Sequence, residues 1–282
     1  MSIVINHLIH TYTASEKPLN AVDDISLTIN EGEFVAVIGH TGSGKTTFIQ
    51  HLNALLLPSS GTVIVDGLDT RNKSERKKIR SLVGMVFQYP EYQLFADTVQ
   101  EDIGFGPKNR GDSPDIIDKE VRTAMLQVGL DFDLFNQKSP FELSGGEKRR
   151  VALAGILALQ PKYIVLDEPM AGLDPKGRAE ILDTLEKLRQ KTGCAIIMVS
   201  HSMDDVAAHA DKVLVLKNGS VLLYDSPQNV FSHESEIIDI GLSLPEATKL
   251  AYLLKQKGIS GVPDGICTYQ QILGYLTENL KK

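Results

Sequence analysis

The sequence predicts an α/β protein: a parallel sheet covered by helices, an antiparallel β region before it, an inserted helical subdomain and a small helical C-terminal region. Three observations predict this. Short β-branched apolar runs alternate with helical stretches from Phe34 to Tyr224, the pattern of a parallel sheet with crossover helices. Ahead of them, residues 3–9 and 20–29 alternate apolar and polar side chains, as half-buried antiparallel strands do. From about Thr98 to Lys138 the pattern turns helical and more polar, broken by Gly111-Asp-Ser-Pro114, which reads as an insertion.

The elements follow in order. Phe34–Ile38 is an apolar, β-branched run that predicts a buried strand. A glycine-rich loop comes next, and Thr46 to Leu57 then lacks Gly and Pro until Pro58, which suits a helix. Thr62–Val65 and Val83–Phe87 are further strands. After the insertion come Tyr163–Leu166 (strand), Pro175–Lys191 (helix), Ala195–Val199 (strand), Met203–His209 (helix) and Val213–Leu216 (strand). Toward the end, Ser243-Leu-Pro-Glu246 has the form of a capping box, with Ala247, Leu250, Ala251 and Leu254 following at helical spacing and Gly258 as the stop. Thr268-Tyr-Gln-Gln271 repeats the box ahead of Ile272, Leu273, Leu276 and Leu280. Two short amphipathic helices cannot bury enough to stand alone, so they must pack on the main domain, on a partner, or on both.

The glycine loop carries the first chemical signal. GHTGSGKT fits G-x-x-x-x-G-K-[ST], with Gly39, Gly44, Lys45 and Thr46 in the fixed slots, and strand–loop–helix is the context that distinguishes it from a chance turn. Its glycines let consecutive N–H groups point at phosphate oxygens, with the helix N-terminus adding positive potential. Lys45 would neutralise β- and γ-phosphate charge, and the Thr46 hydroxyl would ligate Mg²⁺. YIVLDEP at 163–169 is an apolar strand ending in two adjacent carboxylates. In such a fold Asp167 would hold Mg²⁺ through water and Glu168 would be the base for the attacking water; in isolation the same pattern is a strand followed by an acidic turn. LSGGEKRR at 143–150 puts the Ser144 hydroxyl and unblocked amides at a second helix N-terminus. One triphosphate needs one cradle, so the second suggests a nucleotide held by another subunit.

Composition narrows the class. The chain has 282 residues, 42% of them hydrophobic, enough for one large domain or a domain with an appendage. A net charge of −7 and a pI near 5.5 argue against a general nucleic-acid binder. Cys194 and Cys267 lie far apart without ligand spacing, which fits a reducing compartment and no zinc site; Cys194, heading an apolar strand, reads as core. The opening residues have no basic region followed by an apolar core, and the longest apolar run, Val151–Leu159, is interrupted by Gly155. The expectation is a soluble cytoplasmic protein that can still dock on a membrane protein. His7 and His10, three apart on a strand, face opposite ways and make no metal pair. The basic run KSERKKIR at 73–80 reads as a solvated helix face.

The motif set resembles the ATP-binding subunits of ABC transporters over about residues 2–230. LSGGEKRR matches the family signature, and the order of P-loop, Gln88, signature, Asp167-Glu168, Ala171-Gly-Leu-Asp174 and His201 matches as well. The resemblance implies a P-loop NTPase fold: a RecA-like parallel-sheet core, an antiparallel β subdomain and an inserted helical subdomain at about 98–158, all within residues 1–232. It also implies a head-to-tail dimer with two ATP molecules, each between one subunit's P-loop and the other's signature. Carried onto this sequence, Gly39, His40, Thr41, Gly42, Ser43, Gly44, Lys45, Thr46 and Thr47 would hold the phosphates. Tyr12 would stack on adenine, though a strand-end aromatic filling a groove is the plainer alternative. Thr46, Gln88 and Asp167 would attend Mg²⁺, and Gln88 would also approach the attacking water. Ser144, Gly145 and Gly146 would contact the partner's γ-phosphate, and Asp174 would bridge the subunits. His201 would contact the γ-phosphate and orient water and Glu168. The sequence departs from the family where the signature's fifth residue, often Gln, is Glu147.

A narrower resemblance surrounds Gln88. FQYPEYQLF is similar to a stretch of energy-coupling factor (ECF) transporters and related cobalt and nickel importers, and LDEPMAGLDPKGR and VSHSMDD resemble the second of their two paralogous ATPases. The resemblance implies uptake of vitamins, other micronutrients or metal ions. The implied partners are a paralogous ATPase or a second identical copy, a transmembrane coupling protein and a substrate-binding membrane protein. Residues 233–282 would be a C-terminal helical dimerisation region. Tyr89 to Phe95, rich in aromatics, would line a groove for a short helix of the coupling protein, or else fold back on the helical subdomain. The alternative reading is a soluble ABC-type ATPase of DNA repair or translation; neither the coiled-coil insertion of the first nor the second P-loop of the second is present.

Overall fold

The computed structural model describes residues 1–13 and 19–279. In chain order it runs β1 (Ser2–Tyr12), β2 (Leu19–Asn30), β3 (Phe34–Ile38), α1 (Lys45–Leu52), β4 (Ser60–Val65), β5 (Leu68–Asp69), α2 (Arg76–Leu82) and β6 (Val83–Val86). The inserted helices are α3 (Val99–Arg110), α4 (Pro114–Gln127), α5 (Phe132–Phe135) and α6 (Gly145–Leu157). Then come β7 (Tyr163–Asp167), α7 (Pro175–Thr192), β8 (Ala195–Val199), α8 (Met203–His209), β9 (Lys212–Lys217), β10 (Ser220–Asp225), α9 (Pro227–Ser232), α10 (Glu234–Asp239), α11 (Glu246–Gln256) and α12 (Tyr269–Asn279).

Two sheets result. The six-stranded sheet has the order β10-β9-β3-β8-β7-β6 and is parallel except for β10, which pairs antiparallel with β9 at the edge. The smaller one, β2-β1-β4-β5, is antiparallel. Every residue of β3, β7 and β8 is buried, because helices or the second sheet cover both faces. The two-residue period of a strand then divides each strand between two cores. Phe34, Leu166 and Met198 meet the inserted helices through Val99, Ile103 and Val151. Val35, Val165 and Ile197 meet Phe48 and Ile49 of α1 and Ile3, Ile5 and Ile25 of the antiparallel sheet. Each such side chain contributes about 1.5–3 kcal/mol by leaving water.

Two local expectations are corrected. The helix expected to reach Leu57 ends at Leu52: Asn53 Oδ1 accepts the Leu55 N–H at 3.1 Å and Ala54 turns left-handed at φ 57. Asn53 is a stop signal that acts by competing for backbone donors. The capping box expected at Ser243 does not form. Pro245 is the N-cap residue of α11, and the Glu246 N–H donates to Asp204 Oδ1 of α8 at 2.9 Å. A partner 42 residues upstream supplies that cap. The second box does form, with Gln271 Oε1 accepting from the Thr268 N–H at 3.0 Å and Thr268 Oγ1 from the Gln271 N–H at 3.4 Å. Leu280, read as part of that helix, lies outside the described residues. Ile237 of α10 enters a third core with Ala36 and Ile38 of β3, Val206 of α8 and Phe231 of α9, whereas α11 and α12 share a small core of Ala247, Ala251, Val262, Ile266 and Ile272.

Candidate functional site

The parallel strands bring the motifs together because β3, β6, β7 and β8 all end on one edge of the sheet. The glycine loop leaves β3, Gln88 follows β6, Asp167 and Glu168 end β7, and Ser200 and His201 follow β8. This is the edge where open α/β sheets bind ligands.

The loop is shaped by its glycines. Gly44, at φ 99, packs so tightly that a Cβ would lie 2.2 Å from the Ala21 carbonyl oxygen, and at Gly39 one would lie 2.5 Å from that of Leu216. Lys45 folds back into the loop and its ammonium donates to the Gly39 and His40 carbonyls at 2.7 and 3.0 Å. Lys45 is 7% exposed, and among the described residues it has no carboxylate within ion-pair distance. Burial holds its pKa below the ordinary value, opposed by the nearby charges of Glu168 and Asp167. Beside it the Ser43 hydroxyl oxygen is buried without a partner. A buried cation satisfied only by carbonyls, next to an orphaned hydroxyl, fits an anion with several acceptor oxygens.

The carboxylates sit around this cradle. Thr46 Oγ1 donates to Asp167 Oδ2 at 2.9 Å, while burial raises the Asp167 pKa against that bond. Glu168 stands in the left-handed region at φ 49, a strained conformation that an acidic side chain adopts only where its surroundings hold it. They do so from both sides. Gln88 Nε2 donates to Glu168 Oε2 at 3.3 Å, and His201 Nε2 donates to Glu168 Oε1 at 2.6 Å. A carboxylate gripped by an amide and an imidazole beside an anion cradle can accept a proton from a water molecule. Tyr12, at the end of β1, is 44% exposed and its hydroxyl lies 3.4 Å from Thr47 Oγ1.

The remaining residues singled out in the sequence lie apart. Ser144 caps α6: its Oγ accepts from the Glu147 N–H at 3.4 Å, and its own N–H and hydroxyl donate to Glu147 Oε2 at 2.8 and 2.6 Å. Gly145 and Gly146 face open space. Asp174 caps α7 through the Gly177 N–H at 2.7 Å. Among the described residues, no hydrogen bond joins these groups to the P-loop. Sequence reasoning missed Arg149, which is buried, donates to the Ala171 carbonyl at 3.1 Å and pairs with Glu91 at 3.2 Å. It thereby ties the segment after Gln88 to the loop before Asp174. Its signal was a guanidinium two residues before the apolar run of α6, where a solvated side chain is the ordinary reading.

Comparisons with known proteins agree with this arrangement. The model of the ABC transporter family matches residues 22–171. The chain is 50% identical over 274 residues to the energy-coupling factor transporter ATP-binding protein EcfA2 of Clostridium tetani, covering 96% of this chain and 94% of that one. It is 45% identical to the protein of the same name from Acetivibrio thermocellus, with 100% of both chains covered. Among solved structures it is similar to cbiO1 from Clostridium perfringens, described as part of the ABC transporter complex cbiONQ, at a TM-score of 0.75 and 35% identity over 89% of this chain and 98% of that one. It is also similar to the ATP-binding cassette MJ0796, described as a dimeric post-hydrolysis state bound to ADP and Pi, at a TM-score of 0.72 and 29% identity over 79% and 98%.

Proposed function

Since this chain belongs to the energy-coupling factor group of ABC transporter ATP-binding proteins, we propose that the sheet edge where β3, β6, β7 and β8 end binds and hydrolyses ATP to drive uptake through membrane partners. The imported molecules would be vitamins, other micronutrients or metal ions, which this chain does not itself touch. The soluble repair or translation ATPase is not favoured, because relatives matched over nearly the whole chain carry the transporter name. The observation that carries the reading is the Glu168 carboxylate, held between Gln88 and His201 beside a buried cation.

In this reading residues 39–47 wrap the phosphates and Lys45 exchanges its two carbonyl partners for phosphate oxygens. Glu168 takes a proton from the attacking water while His201 and Gln88 fix its direction. Thr46 and Asp167, with the Gln88 amide oxygen, offer hard oxygen donors that suit Mg²⁺, which would supply charge neutralisation on the β- and γ-phosphates. Ser144, Gly145, Gly146 and Asp174 would face the nucleotide of a second subunit, either a paralogue or another copy, which accords with their openness here. Residues 233–282 would strengthen that dimer. Glu168→Gln should keep ATP binding and cut turnover roughly 10²–10⁴-fold, since the amide keeps the shape but cannot accept the proton. Near-normal hydrolysis in that variant, assayed in the assembled transporter, would sink the assignment.

For the membrane partner, no helix among the described residues is long and apolar enough to cross a bilayer, which accords with peripheral attachment at the cytoplasmic face. A groove of about 770 Å³ between α2 and the inserted helices includes Leu94, Phe95, Phe105 and Ile156 in its walls. Within Tyr89–Phe95, Leu94 is buried in the core, whereas Tyr92 and Phe95 are 85% and 57% exposed. The docking anchors would therefore be Phe95 in the groove wall and Tyr92, exposed three residues before it, and the occupant a short helix of the transmembrane coupling protein.

A further inference from the structure

Two histidines that the phosphate chemistry leaves unused lie directly behind Tyr12. His51 on α1 is fully buried, and its Nδ1–H donates to the Thr47 carbonyl at 2.7 Å. Burial pushes its pKa down to about 4, so the ring is neutral at pH 7 and Nε2 bears a lone pair. His10 Nδ1 lies 3.1 Å from that Nε2 and 3.2 Å from the Leu57 carbonyl. Both neighbours are acceptors, so His10 carries its proton on Nδ1 and shares it between them.

The rings form a column. His10 meets His51 edge-on at a centroid distance of 4.8 Å, and Tyr12 meets His10 edge-on at 4.7 Å with an interplanar angle of 77°. His10 and Tyr12, two apart on β1, share a face of the strand. The Tyr12 hydroxyl then returns to Thr47 Oγ1. A circuit of contacts closes: Thr47 to Tyr12 to His10 to His51 and back to Thr47. An exposed ring at a strand end would otherwise sample several rotamers, and binding a base would have to freeze them. Here the ring is braced at its edge by a wall that is itself pinned to the first turn of the phosphate-binding helix.

We propose that His10 is a positioning residue for nucleobase recognition: anchored by His51, it holds the Tyr12 ring in the orientation that presents a face to the base of a purine nucleoside triphosphate. The inference rests on the adenine reading of Tyr12 and adds what orients that ring. It also predicts where an effect should be seen, since His10 acts on the base and not on the phosphates.

Titration calorimetry on the full-length chain, with ATP and with inorganic tripolyphosphate as probes, tests this. His10→Asn is the variant of choice, because its amide can still donate to the buried His51 Nε2 while offering Tyr12 no ring. ATP affinity should fall roughly two- to tenfold, the worth of an aromatic edge contact, and tripolyphosphate affinity should stay unchanged. Tyr12→Ala should weaken ATP binding roughly tenfold, and adding His10→Asn to it should weaken it no further. Equal losses for ATP and tripolyphosphate, unchanged ATP affinity, or additive losses in the double variant would each overturn the role of His10. Unchanged ATP affinity in Tyr12→Ala alone would instead overturn the adenine reading, and the inference with it.

Discussion

The two glycine-rich helix N-termini of this chain are built in opposite ways. In the P-loop, Gly39 and Gly44 press against the backbone of other segments, Lys45 is folded inward, and Thr46 is bonded to Asp167. At the N-terminus of α6, a Cβ added at Gly145 or Gly146 would meet open space, and the Ser144 hydroxyl is occupied by a carboxylate of its own helix. Similar glycine-rich chemistry thus gives one site completed by the chain itself and one left open. The difference teaches that two similar glycine-rich starts of helices are set apart by what surrounds them: the chain encloses the P-loop and leaves the start of α6 open.

The largest expected effect would break the contrast if it failed. Lys45→Ala should weaken ATP binding by the lone chain roughly a hundredfold or more, as the loss of charge-assisted bonds to phosphate implies. Ser144→Ala should leave that binding unchanged and lower only the turnover of the assembled ATPase. Equal losses of ATP affinity in the two variants would show that both helix N-termini serve one nucleotide within one chain.

Acid should separate the two helix N-termini next. His51 on α1, the helix that follows the P-loop, has its folded pKa lowered from 6.5 to about 4, so the folded state resists protonation that the unfolded chain accepts. Its contribution is complete above pH 6.5 and is lost as pH falls toward 4, amounting to about 3 kcal/mol. Protection of the α1 amides, taken as exchange relative to the intrinsic rate at each pH, should therefore fall across that window more than in α6, and His51→Gln should flatten the response. A wild-type stability profile that is level between pH 6.5 and 4 would remove this account. The smallest effect sharpens the open side. Tyr92→Ser with Phe95→Ser should spare ATP binding by the lone chain while weakening attachment to membranes roughly thirtyfold or more. Normal attachment and uptake in that double variant would put the docking surface elsewhere.

Much of the site was legible because its chemistry is local in sequence. A strand, a glycine loop and a lysine lie within a dozen residues, and the acidic pair directly ends an apolar run. Less legible were residues whose partners come from afar. Arg149 reaches Glu91 and Ala171, and nothing in KRR distinguishes the buried guanidinium from its solvated neighbours. Leu94 and Phe95 are adjacent apolar side chains that both border the groove, yet Leu94 is buried in the core and Phe95 stands exposed, a split that adjacency in sequence does not reveal.

By itself the sequence determined the α/β architecture, the phosphate loop, the adjacent carboxylates and the order in which the motifs arrive. Those depend on backbone propensity, side-chain period and bonds between near neighbours, all of which act over a few residues. Only the tertiary structure decided that Asp204 caps α11, that His201 and Gln88 grip opposite oxygens of Glu168, and that His10 and His51 stand behind Tyr12. Each of these joins groups from separate elements, and which groups meet is set by how buried faces pack against one another, a property of the whole chain.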